Sequence, residues 1–220
     1  MLTFSARLQE MADSEIAAMV EPSRLADIKL RDPHPLIKAF VIGHEGESRG
    51  HLIGVGNVVK RWFRTMIHKL HDKVTAGLQL FHGHAAGTNS HDGRAPVGEV
   101  VGKALKTIDG RESVVVACHI YPDFKHLPLD VASVEADVEL APTGDRDMVD
   151  IVGLGGLTGI ALGNSAVDKP GFPGATLLGQ LQAFEDECRI KYGYQSGLRL
   201  GYGVNTTIRL ATPEEEKHIG

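Results

Sequence analysis

A chain of 220 residues with 42% hydrophobic and 23% charged residues can bury a sizeable core, which excludes a disordered chain and leaves one principal globular domain as the expectation. A net charge of -5 without a long Lys/Arg run excludes an electrostatic nucleic-acid binder, because that binding rests on clustered cations that neutralise phosphates. Cys118 and Cys188, far apart, exclude a disulfide framework and a Cys-x-x-Cys zinc site and fit a reducing, cytoplasmic compartment.

The first 20 residues carry Glu10, Asp13 and Glu15 and lack the apolar core of a secretory signal, so no export is expected. No apolar run approaches the roughly 18 uncharged residues that a membrane helix needs, so no membrane span is expected either. Apolar residues from 4 to 20 recur at three- and four-residue steps and predict a short helix closed by Pro22, within an N-terminal helical arm over 1–35 that serves as a docking arm or as core. Segments 36–43 and 51–55 read as two strands of a hairpin around the Gly/Glu-rich stretch 44–50. Val58, Val59, Trp62, Phe63, Met66, Ile67 and Leu70, with Lys and Arg between them, predict an amphipathic helix over 57–74, its basic side solvated or set against an acidic scaffold.

Beyond Gly77, a strand is predicted at 78–84, then a polar loop over 85–94. Strands at 97–108 and 113–121 join through Asp109-Gly110, a strong hairpin signal. Segment 131–140 alternates, with Val131, Ser133, Glu135, Asp137 and Glu139 on one face and Ala132, Val134, Ala136, Val138 and Leu140 on the other. A Gly-interrupted apolar strand is expected over 150–162, a rigid Pro/Gly loop over 169–174, a last helix over 175–192 and a strand at 205–210. Residues 36–212 form the expected main domain and 213–220 a solvated acidic tail. The fold class is α+β and β-rich, most simply a small barrel or folded sheet with flanking helices.

Three polar residues stand out against apolar surroundings. His84 closes a strand, Ser133 sits within one, and Asp150 opens the next. A serine hydroxyl becomes a useful nucleophile when a base within hydrogen-bond reach takes its proton and a third group orients that base. Triads are recognised by geometry rather than chain order, so the order His, Ser, Asp is compatible with these roles.

Three stretches resemble a known family. Leu80-Phe81-His82-Gly83-His84, followed by Pro96-Val97-Gly98-Glu99-Val100-Val101-Gly102, is similar to the catalytic-histidine region of phage prohead proteases. Leu129-Asp130-Val131-Ala132-Ser133-Val134-Glu135-Ala136 resembles the nucleophile strand, and 157–163 with the Pro-containing loop 170–175 resembles the closing strand and loop after the active site. The resemblance spans roughly 36–175 and implies an assemblin-like antiparallel β-barrel, shared with herpesvirus capsid proteases. It further implies a serine endopeptidase packaged in the immature capsid, in the host cytoplasm, that cleaves scaffold and major shell proteins and itself. Ser133 is then the nucleophile and His84 the base, with His82 the alternative base. The acid comes from Asp145, Asp147 or Asp150, and Asp150 is chosen because it abuts the apolar strand. No cofactor is implied. Herpesvirus members work as dimers, which extends the expectation to a homo-oligomer.

Other readings stand beside this one. Ser133 is otherwise an ordinary strand serine, and a degenerate site would mark a non-catalytic capsid assembly or scaffolding protein. His82, His84 and His91 would make a metal-dependent hydrolase, although two histidines without a third ligand more often bind no metal. Glu135, Asp137 and Glu139 read as a solvated acidic face or a subsite for basic peptides, with no role assigned. Cys118 reads as a buried small hydrophobe, or as a thiol nucleophile near His119. Backbone amides at 153–156 are candidate oxyanion donors.

Overall fold

The computed structural model describes residues 11–52, 56–83, 94–145 and 147–182, all within one compact unit, Met1–Ala183. In chain order the elements are α1 (Asp13–Met19), α2 (Pro22–Arg31), β1 (Leu36–His44), β2 (Gly46–Leu52), β3 (Gly56–Trp62), α3 (Arg64–Lys73), β4 (Gln79–His82), β5 (Pro96–Ile108), β6 (Arg111–Ile120), β7 (Val131–Pro142), β8 (Met148–Gly163) and β9 (Leu177–Gln182). The fold is α+β and β-rich, as expected. No helix among the described residues is long and apolar enough to cross a membrane.

The strands form one mixed sheet in the order β2-β3-β8-β4-β5-β6-β1-β9, with β7 also paired to β8. Among the described residues only the β3–β8 and β4–β8 pairings are parallel. Segment 175–177 draws β1 and β7 together: Val41 N–H donates to Thr176 O at 3.1 Å, Ala132 N–H to Ala175 O at 3.2 Å, and Leu177 N–H to Asp130 O at 2.8 Å. The sheet therefore curls into a half-barrel.

Every residue of β1 is buried because both faces of the sheet are covered there. Leu36, Phe40 and Ile42 enter one cluster with Val114, Val116, Cys118 and Ile120 of β6, Met66, Ile67 and Leu70 of α3, and Phe172. Ile37, Ala39 and Val41 point the other way, to Val115 and Ala117 and to Ile16 of α1, Val20 just after it and Ile28 of α2. The N-terminal helices are thus part of the core. Each fully buried aliphatic chain contributes about 1.5–3 kcal/mol. A short helix, α1, ends before Pro22 as expected, and Pro22 in turn starts α2, since its missing N–H costs nothing in a first turn.

Three expectations are corrected. Strand β1 pairs with β6 and β9, and the described part of the expected second strand, 51–52, belongs to β2 and pairs with β3 instead. The Gly/Glu-rich stretch becomes β2 because its small residues have specific partners: Ser48 Oγ accepts from Trp62 Nε1 at 2.9 Å, and Gly50 leaves room for the Lys60 side chain. The helix expected over 57–74 is a strand, β3, followed by α3. Val58 and Trp62, both buried, are four apart and lie on one face at either a two-residue or a 3.6-residue period. Residues 177–182 form β9 on the edge of β1 instead of a helix, with Leu178 buried against α1. Residues 183–220, with the expected strand and tail, lie outside the described residues.

Candidate active site: the Ser133 cleft

The β7–β8 register lays out the site. On one face Val131 lies opposite Gly163, Ser133 opposite Ala161 and Glu135 opposite Gly159. Strand β4 continues the middle row, since Phe81 is the partner of Ala161. Register partners project to the same side, so Ser133, Ala161 and Phe81 share a face while Val134, Ile160 and Leu80 point into the core.

On the Glu135 side, Phe81 lies in space that a side chain at position 159 would occupy: a Cβ there would meet the ring at 2.8 Å. The Arg94 guanidinium stacks over the same ring at 4.5 Å from its centroid. Its Nη1 donates to Gly83 O at 2.6 Å and its Nη2 to the Glu135 carboxylate oxygens at 3.2 and 3.0 Å. The pair is withdrawn from solvent, with side-chain exposures of 17% for Arg94 and 9% for Glu135.

On the Gly163 side, the Asp168 carboxylate covers the strand where a Cβ at 163 would collide with it. Asp168 Oδ2 accepts from Asn164 N–H at 2.9 Å, and Asp168 N–H donates to Asn164 O at 2.7 Å. The loop is anchored by Ser165, whose N–H and Oγ donate to the Asp130 carboxylate at 2.6 and 2.5 Å. Further on, Gly171 passes Ser133 so closely that a Cβ on it would lie 3.5 Å from Ser133 Oγ. Its carbonyl accepts from Arg49 N–H at 2.7 Å. Phe172 is buried against Trp62 and His44, and the His44 ring nitrogens lie 2.8 Å from Glu45 O and 2.7 Å from Pro173 O. The 169–174 loop is therefore held in place, as expected.

Between these walls is a small open cleft of about 60 Å³ lined by Gly83, Ser133, Ala161, Asp168, Lys169 and Pro170. Ser133 is half-buried within it. Gly83, at φ 72°, ends β4 and donates its N–H to Leu162 O at 2.8 Å. Positive φ at this glycine turns the chain as β4 ends. His82 follows Phe81 within β4 and is exposed on the face opposite Ser133. His84 and His91 lie outside the described residues.

The expected acid is elsewhere. Asp150 lies opposite Ala141, eight residues along β7 from Ser133, a separation on the order of 25 Å at the rise of a strand. Its carboxylate accepts from Arg61 Nε and Nη2 at 2.7 and 2.9 Å. Asp145 and Asp147 belong to the turn beyond it, where Asp147 N–H donates to Asp145 Oδ1 at 3.1 Å. Gly153 is opposite Glu139 and Leu154 opposite Val138, so the amides of 153–156 are also remote from Ser133. Among the described residues, Asp168 is the carboxylate that lines the cleft with Ser133. The thiol alternative loses its chemistry, since Cys118 is fully buried and desolvation pushes its pKa up. Its neighbour His119 instead lies 3.0 Å from Asp32.

No family model, curated protein or solved structure matches the chain.

Proposed function

We propose that the chain is a serine endopeptidase of the prohead maturation class, with an assemblin-like barrel, that cleaves scaffold and major shell proteins inside an immature capsid and processes itself. The observation that carries this reading is the position of Ser133: it lies in an open cleft beside Gly83, the residue before His84. Strand ends and a pinned loop hold that cleft rigidly, as a nucleophile requires.

In this mechanism Ser133 Oγ attacks the scissile carbonyl and His84 takes its proton. The tetrahedral intermediate collapses as the C–N bond breaks, and His84 returns the proton to the leaving amine. Water then attacks the ester, giving up a proton to His84, and the acid product leaves with Ser133 restored. We assign the orienting carboxylate to Asp168 in place of Asp150, because Asp168 shares the cleft and both its N–H and one carboxylate oxygen are held at Asn164. Co-expression with a candidate scaffold and shell protein, followed by intact mass with and without chelator, tests the reading. Chelator-insensitive cleavage by wild type and none by Ser133→Ala is the expected result.

One observation favours a second reading. The three acids expected from the sequence all lie at the distal end of the β7–β8 hairpin, as a degenerate site in a non-catalytic assembly protein would allow. A folded wild type that cleaves nothing within assembled shells decides for that reading.

A further inference from the structure

We infer that Arg94 and Glu135 form a clamp that fixes the end of β4, at the Gly83 carbonyl, against the strand that carries Ser133. The inference rests on the serine-protease reading. Glu135 is two residues beyond Ser133 on the same strand and face. Arg94 joins that carboxylate to the Gly83 carbonyl while stacking on Phe81, itself in the Ser133 row. One guanidinium thus fixes the nucleophile strand, the neighbouring strand and the Gly83 carbonyl at its end.

The pair is better suited to position than to stability. A buried ion pair of this kind recovers little net energy after desolvation, yet removing one partner leaves the other uncompensated. A planar guanidinium fork also holds two acceptors at fixed angles, which a lysine ammonium does not. Arg94 and Glu135 are argued here to act through the two strands and the Gly83 carbonyl, so they are positioning residues. Misplacement of a base by about 1 Å costs about 100-fold in rate.

The test uses a fluorophosphonate probe on the full-length protein. In the labelling step Ser133 Oγ forms a bond to phosphorus, the P–F bond breaks, fluoride leaves and the proton passes to the base. Arg94→Lys, Glu135→Gln and the double variant are compared with wild type for the saturating labelling rate, the probe concentration at half that rate, and Tm. The expected result is a saturating rate lowered about 10- to 100-fold at unchanged half-saturation, with the double variant no slower than the slower single. Glu135→Gln is near-isosteric and keeps hydrogen-bonding capacity, so it covers the case in which Arg94→Lys does not fold. Wild-type labelling with unaltered rates in folded variants overturns the clamp and leaves the protease standing. Failure of the wild type itself to label overturns the protease reading and the clamp with it.

Discussion

The two ends of the β7–β8 hairpin each carry an arginine paired with a strand carboxylate, in opposite surroundings: Arg61 forks onto Asp150 with two nitrogens, whereas Arg94 gives one nitrogen to Glu135 and another to the Gly83 carbonyl. At the distal end Arg61 holds Asp150 with 44% of the arginine side chain exposed. At the proximal end Arg94 holds Glu135 with both groups largely out of water. Water screens the first, so it contributes little and can be lost at little cost. The second constrains its partners in a low-dielectric setting, where an unpaired survivor is expensive. An ion pair's geometry therefore says little about its consequence until its solvent exposure is known, and only the proximal end has the walls of a site.

The largest break in this comparison is Ser133→Ala. Cleavage should fall at least about 1,000-fold, to the residue of activity left when a nucleophile is removed, while the circular dichroism spectrum and Tm match wild type. Next comes the acid. Asp168→Asn should lower the cleavage rate about 100- to 10,000-fold, the range for a triad carboxylate whose loss leaves the imidazole unoriented, whereas Asp150→Asn leaves the rate within about twofold of wild type. Time courses on one scaffold substrate give both numbers. Equal losses at the two positions would end the distinction between the hairpin's ends.

Away from the cleft, a buried carboxylate should govern acid stability. Asp32 is 5% exposed in its side chain and meets His119 at 3.0 Å and Lys125 at 2.7 Å. Burial by itself would raise its pKa, but the hydrogen bonds from His119 and Lys125 prevail and hold it below the usual carboxylate range. A depressed folded-state pKa adds stability above the unfolded value, near about 4, and that stability is lost as pH falls through the folded value. Asp32→Asn should therefore cost about 1–3 kcal/mol near neutral pH, with the gap to wild type closing on acidification. Urea titrations at pH 7 and pH 3 measure this. The smallest effect expected is from Arg61→Ala, with Tm and cleavage both unchanged within error.

Local chemistry made much of the sheet legible. Asp109-Gly110 forms its turn with both residues at positive φ, 50° and 75°, and β5 and β6 pair on either side as the alternation requires. The alternation of 131–140 likewise assigns Ser133 and Glu135 to one face. The strand identity of β2 and β3 was hidden because it depends on contacts made after folding: Ser48 needs Trp62, and Gly50 needs Lys60. Asp150 was misassigned for a related reason. It does abut the apolar strand, but β8 is 16 residues long, and only pairing register says which end of it faces Ser133. Glu135 carried a usable signal in its two-residue spacing from Ser133. Arg94, at the edge of a polar loop, carried none, because its role is defined by Phe81, Gly83 and Glu135 together.

The most direct test of the central claim is to treat the full-length protein with a fluorophosphonate and map the adduct by peptide mass. The account predicts one adduct, on the peptide containing Ser133, absent in Ser133→Ala and unaffected by chelator. No adduct on a folded protein, or an adduct on another serine that survives Ser133→Ala, would contradict it.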